Sequence, residues 1–226
     1  MWGCVVSRAA ILAAALALAT AALAQELPKP SPLTQKELDA KQISYNDWLF
    51  FHGIRSGNPD WVNAAFKAGA DINKSRNPIG ELPPLMVAVS TPTAKREIVE
   101  LLIKRGADVN QRWTPRSGGQ GGGFFPLYQA ARNSNSEIVE LLIQRGADVK
   151  ARTANGNTAL HNTFDADIGR VLLRHGAEVN ARNKIGQSPL GVAKRAISML
   201  DREPNPELRP KVVAYQAFLR SQGAVE

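Results

Sequence analysis

The sequence predicts an all-α solenoid of stacked helix-turn-helix units, joined by β-turn or finger loops. Three observations predict it. First, a Gly-Ala-acid tripeptide recurs at Gly69-Ala70-Asp71, Gly106-Ala107-Asp108, Gly146-Ala147-Asp148 and Gly176-Ala177-Glu178, with a degraded fifth copy at Gly223-Ala224-Val225. The intervals are 37, 40, 30 and 47 residues, the range in which one supersecondary unit buries its apolar face by stacking on the next. Second, apolar residues at helical spacing precede the glycines. They are clearest in the near-duplicates Glu97–Arg105 and Glu137–Arg145, where Ile98, Leu101 and Leu102 match Ile138, Leu141 and Leu142. Third, the 226 residues are 44% hydrophobic, 21% charged and 6% aromatic, with a formal charge of +8. That balance excludes a mostly disordered, collagen-like or multi-span membrane chain, and it leaves Leu, Ile, Val and Ala to build the core.

The elements follow in order. Residues 1–24 combine a short head holding Arg8, an apolar run from Ala9 to Leu23, and a small-x-small close at Ala22-Leu23-Ala24. These are the parts of a cleavable export signal. The run spans roughly 22 Å as a helix, short of a hydrocarbon core of about 30 Å, so no membrane span is expected after cleavage. The one cysteine, Cys4, leaves with the signal. A mature chain without disulfides favours a bacterial periplasm over the eukaryotic exterior. Residues 25–44, with Pro28, Pro30 and Pro32, read as a linker. The repeat region spans 45–226, with units at about 45–73, 74–110, 111–150, 151–180 and 181–226; the first is an N-terminal cap. In each unit, acids open the second helix and bases close it, complementing the helix dipole, and the glycine supplies the left-handed residue that stops it.

Before the helices stand Pro84-Leu85-Met86-Val87-Ala88, Pro126-Leu127-Tyr128-Gln129-Ala130-Ala131, Thr158-Ala159-Leu160-His161 and Ser188-Pro189-Leu190. They fill the Thr-Pro-Leu-His-x-Ala slot of a unit of about 33 residues. In these motifs the chain, from about Tyr45 onward, resembles the ankyrin-repeat family, here in an exported bacterial form. Departures from the 33-residue length fall in loops. The unit after Gly69 gains four residues around Pro83 and Ser90–Thr93. The next gains seven in a finger that runs through Gly118-Gly119-Gln120-Gly121-Gly122-Gly123. The third loses three between Leu160 and Gly176, which clips its first helix. The last gains fourteen, lengthening the Leu190–Asp201 helix and adding the loop 202–206.

No reaction centre is expected. No two of His52, His161 and His175 stand at the i, i+4 spacing of a two-histidine ligand pair. There is no thiol in the mature chain, no Gly-x-Ser-x-Gly elbow, and no Gly-Lys-Ser/Thr ending to the glycine run. Asp167 reads as a helix cap, in the slot of Glu97 and Glu137. No cofactor and no metal are expected.

The resemblance implies a protein-binding scaffold whose fingers and first helices line a concave face. Each finger opens on a base, Arg76, Arg112, Arg152 or Arg182, with Lys74, Lys150 and Lys184 beside them. At about 10 Å between units and a Debye length of about 8 Å, an extended acidic partner would feel several of them. Trp113, Phe124 and Phe125 flank the glycine-rich tip beside Arg112 and Arg116, and Tyr128 stands at its base. Aromatic and arginine side chains are favoured interface anchors. The expectation is therefore a monomeric periplasmic protein that binds an unidentified protein, with an acidic surface, through these residues. The alternatives are an immunity-type inhibitor that occludes a toxin or hydrolase, and an envelope factor that binds wall polymer or anionic lipid. Export argues against nucleic acid.

Overall fold

A computed structural model describes residues 45–73, 82–90, 94–114, 122–133, 136–202 and 205–225. The expected signal, the linker, Arg76, Arg116 and most of the glycine-rich tip lie outside the described residues. Nine α-helices and one 3-10 turn are described: α1 (Tyr45–Ser56), α2 (Pro59–Lys67), α3 (Pro84–Val89), α4 (Arg96–Lys104), α5 (Pro126–Asn133), α6 (Ser136–Gln144), the turn at Ala159–His161, α7 (Ala166–Arg174), α8 (Pro189–Leu200) and α9 (Leu208–Ser221). Among the described residues the one β-pairing is an isolated antiparallel bridge between Trp113 and Phe124.

The helices form two rows. α1, α3, α5, the 3-10 turn and α8 pack in sequence as the first-helix row, and α2, α4, α6, α7 and α9 as the second. The core lies between them. The leucine four residues before each later glycine, Leu102, Leu142, Leu172 and Leu219, is completely buried. Its carbonyl accepts the N–H of the alanine that follows the glycine, Ala107, Ala147, Ala177 or Ala224, at 2.9–3.0 Å. This closure requires a left-handed residue between them, and Gly106 and Gly146 have φ of 95° and 92°. The fifth copy, degraded in sequence, ends α9 by the same device.

The clipped first helix of the third repeat is a single 3-10 turn. His161 pins it. Its Nδ1 accepts from the Thr158 N–H (3.2 Å) and lies 2.9 Å from the Thr158 hydroxyl, while Nε2 lies 3.1 Å from the carbonyl of Gln187 in the next repeat. One tautomer satisfies all three contacts, with the proton on Nε2. Burial holds the ring below the ordinary histidine pKa; the hydrogen bond to the Gln187 carbonyl opposes this. The helix after it starts differently from the sequence expectation. Its N-cap is Asp165, whose carboxylate accepts from the N–H groups of Asp167 and Ile168. Asp167 sits in the first turn and pairs with Arg170. The cap must precede the first helical residue so that its oxygen can reach N2 and N3; Asp167 is already helical.

Asparagines stitch neighbouring repeats. Asn73 donates to the carbonyl of Gly106 (3.2 Å) and accepts from the N–H of Asp108 (3.1 Å). Asn110 does the same with Gly146 and Asp148, both at 2.9 Å. Asn180 repeats the pattern with Gly223 and Val225. Lys150 occupies the corresponding position of the third interface, and its side chain cannot both donate and accept.

Candidate functional site

The finger of the second repeat is held by its backbone. Trp113 and Phe124 exchange two N–H···O bonds of 2.9 Å. The Gly123 N–H bonds the Thr114 hydroxyl at 3.0 Å, and the Gly122 carbonyl accepts from Ala154 of the next finger at 2.8 Å. The bridge places the rings of Trp113 and Phe124 side by side, 6.0 Å apart and nearly parallel, and both residues are half-buried. Phe124 continues onto Tyr128 at 5.7 Å.

The four aromatics expected as anchors therefore divide. Phe125 is 2% exposed and Tyr128 is 9% exposed. Phe125 directly precedes α5 and belongs to the hydrophobic core, against Tyr128 at 5.7 Å. Burial pushes the Tyr128 phenol up from its ordinary pKa, and a hydrogen bond to Asn157 opposes this. Phe125 and Tyr128 are corrected from loop anchors to core. Trp113 and Phe124 form the aromatic step that solvent reaches.

The arginine row also differs from the expectation of bases held out to a partner. Arg112 donates from Nη1 to the carbonyl of Gly123 in its own finger (2.9 Å) and to that of Arg152 in the next (2.6 Å). Its guanidinium lies 4.7 Å from the centre of the Phe125 ring. Arg152 repeats this with Gly156 (3.2 Å) and Arg182 (2.8 Å), and reaches Glu178 at 3.3 Å. Arg182 donates to Gly186 at 2.7 Å. The guanidinium fork suits this double task, since it offers several N–H groups in one plane. Arg112 and Arg152 fix their fingers to the next, and Arg182 braces its own. Their outer edges stay exposed, so the row remains cationic.

The other histidines are structural in their contacts. His52 is stacked between Trp48 (4.8 Å) and Trp61 (5.3 Å). Burial, then Arg55, lowers its pKa. His175 has a carboxylate partner that local spacing could not reveal: Glu140, 35 residues upstream, at 2.9 Å. The His175 hydrogen bond, and after it Arg174, hold the Glu140 carboxyl below the usual range. Among the described residues, no group of three His, Cys, Asp or Glu side chains is placed to hold a metal ion. No described helix is long and apolar enough to cross a membrane.

Sequence reasoning missed a cleft of about 530 Å³ beside the clipped helix, between Arg132 of α5 and Lys211 of α9. The signal was present in the three residues lost between Leu160 and Gly176.

The family model described as ankyrin repeats (3 copies) matches at residues 50–153, 85–183 and 127–198. A search of curated proteins finds no significant match. The overlapping matches run from 50 to 198, well over half of the chain, and cover the helix ends at Gly69, Gly106, Gly146 and Gly176 with the fingers that follow. The chain belongs to the ankyrin-repeat family.

Proposed function

We propose that this chain is a non-enzymatic scaffold, exported to a bacterial periplasm, that binds another protein through its second finger and the adjacent first-helix row. Protein–protein interaction is the general role of ankyrin repeats. The observation that supports the reading most is the Trp113–Phe124 step. Two large half-buried rings keep part of their surface open to solvent on a backbone held by a β-bridge and by the hydrogen bonds of Arg112. A preordered aromatic surface loses little conformational freedom on binding. The arginine edges around it favour a partner with an acidic surface and speed its encounter. Export is supported by the basic head, apolar run and small-x-small site of residues 1–24.

Affinity capture from periplasmic extract tests this. Wild-type protein retains one stoichiometric protein, and W113A/F124A loses it while its circular dichroism is unchanged. Equal retention by both contradicts the finger. If the retained protein is an enzyme that loses its activity, the scaffold acts as an inhibitor. Retention on bare peptidoglycan or anionic vesicles, with no protein retained, overturns the reading in favour of an envelope factor. Osmotic-shock release of a chain shortened at Ala24 tests the location.

A further inference from the structure

The third repeat lacks the last turn of its first helix. The 3-10 turn ends at His161, where α5 in the preceding repeat runs on to Asn133 and α8 in the following one to Leu200. The space left is a half-open cleft of about 530 Å³, within the range of built ligand sites. Its apolar lining comes in part from Phe164, Ile168 and Val192. Asn162 sits among them and spends its amide N–H on the Tyr128 carbonyl at 2.9 Å. That leaves its side-chain oxygen to accept.

Charge at the cleft is one-sided. Arg132, from the helix before the gap, and Lys211, from the helix after it, are exposed, and neither has an ion pair among the described residues. This contrasts with Arg96, Arg170, Arg174 and Arg209, each of which pairs with a carboxylate. The acid in the lining is Asp165, and it is engaged in capping α7.

We propose that this cleft is a second docking site, for an extended segment of a partner protein that places an apolar side chain on Phe164, Ile168 and Val192 and a flanking Asp or Glu carboxylate at Arg132 and Lys211. The Asn162 oxygen then takes a peptide N–H of the segment. Apolar burial supplies attraction, and the two cations select the acid. The proposal rests on the protein-binding reading and extends it to a site remote in sequence from the Trp113 finger.

The probe is a set of labelled, acetylated and amidated heptapeptides with a fixed central Phe-Glu or Leu-Glu, against the same set with Gln in place of Glu, measured by fluorescence anisotropy on the full chain. Wild type binds the Glu set at least tenfold more tightly than the Gln set. R132E/K211E abolishes that preference, and V192F, which fills the cleft, abolishes binding; both melt within a few degrees of wild type. Equal binding of the Glu and Gln sets overturns the proposal, as does binding untouched by V192F. Competition by 3-phenylpropionate at the peptide's own affinity also overturns it, in favour of a small-acid site. If the peptides fail while finger-dependent capture persists, the cleft assignment falls and the scaffold reading stands.

Discussion

Replacing Phe125 by alanine separates the two roles that the finger aromatics could have. The side chain is 2% exposed, packs on Tyr128, and lies under the Arg112 guanidinium at 4.7 Å. A buried Phe→Ala change costs about 3–5 kcal/mol, and the lost guanidinium contact adds about 0.5–1 kcal/mol. The cost does not stop at the ring, because Arg112 also bridges to the next finger through the Arg152 carbonyl. With a urea slope of about 2 kcal/mol/M, the midpoint should fall by roughly 1.5–3 M. Urea titration followed by far-UV circular dichroism measures this. F125L, which keeps most of the apolar volume, should recover much of the loss. W113A/F124A, at half-buried positions, should shift the midpoint by much less than F125A. A midpoint for F125A within about 0.2 M of wild type would refute the placement of this ring in the core.

Other outcomes are expected. K150N installs the asparagine present at positions 73, 110 and 180, and should stabilise the array by about 0.5–1.5 kcal/mol per added hydrogen bond; an unchanged or lowered melting temperature counts against the stitching role. A methyl group on Gly169 would lie 2.7 Å from Phe218 Cε1 and 3.0 Å from Tyr215 Cε2, so G169A should cost about 1–3 kcal/mol, with partial rescue by F218L. Burial lowers the folded-state pKa of His161. The unfolded chain therefore takes up the proton first as pH falls below about 6.5, and the stability contributed by neutral His161 declines from there downward. NMR titration should find its midpoint below the ordinary histidine value of about 6.5; a midpoint at or above that value contradicts the buried contacts with Thr158 and Gln187.

The fold was legible because it repeats. The glycines at 69, 106, 146 and 176, with leucines four residues before the last three, mark the helix ends, and the structure gives each of these glycines a positive φ. The clipped helix was legible as missing length. Other features were not, because periodicity locates a residue without its direction. Phe124 and Phe125 are adjacent, yet the bridge that pairs Phe124 with Trp113 leaves Phe124 half-buried at the edge of the core while Phe125 is buried within it. Arg112, Arg152 and Arg182 share a slot, but the engagement of Arg112 and Arg152 by carbonyls of the following finger depends on how closely fingers stack. The acid-x-Asn recurrence at Asn73, Asn110 and Asn180 breaks at Lys150, but its bonds run to the next repeat and so needed the stacking to be seen. Asp165 and Asp167 could be told apart as caps only once the first helical residue was known. The carboxylate beside His175 lies one repeat away and has no local signature.

The central claim is that recognition runs through the Trp113–Phe124 step at the base of the second finger while Phe125 and Tyr128 hold the fold. The most direct test is the dissociation constant of the captured partner for wild type and for W113A/F124A, by isothermal titration, beside the melting temperature of each. At about 2 kcal/mol per hot-spot ring, one ring alone weakens binding about 30-fold and two additive rings roughly 800-fold; the double variant should fall between these with the melting temperature held within a few degrees. An unchanged dissociation constant, or weakening that appears only together with unfolding, contradicts it.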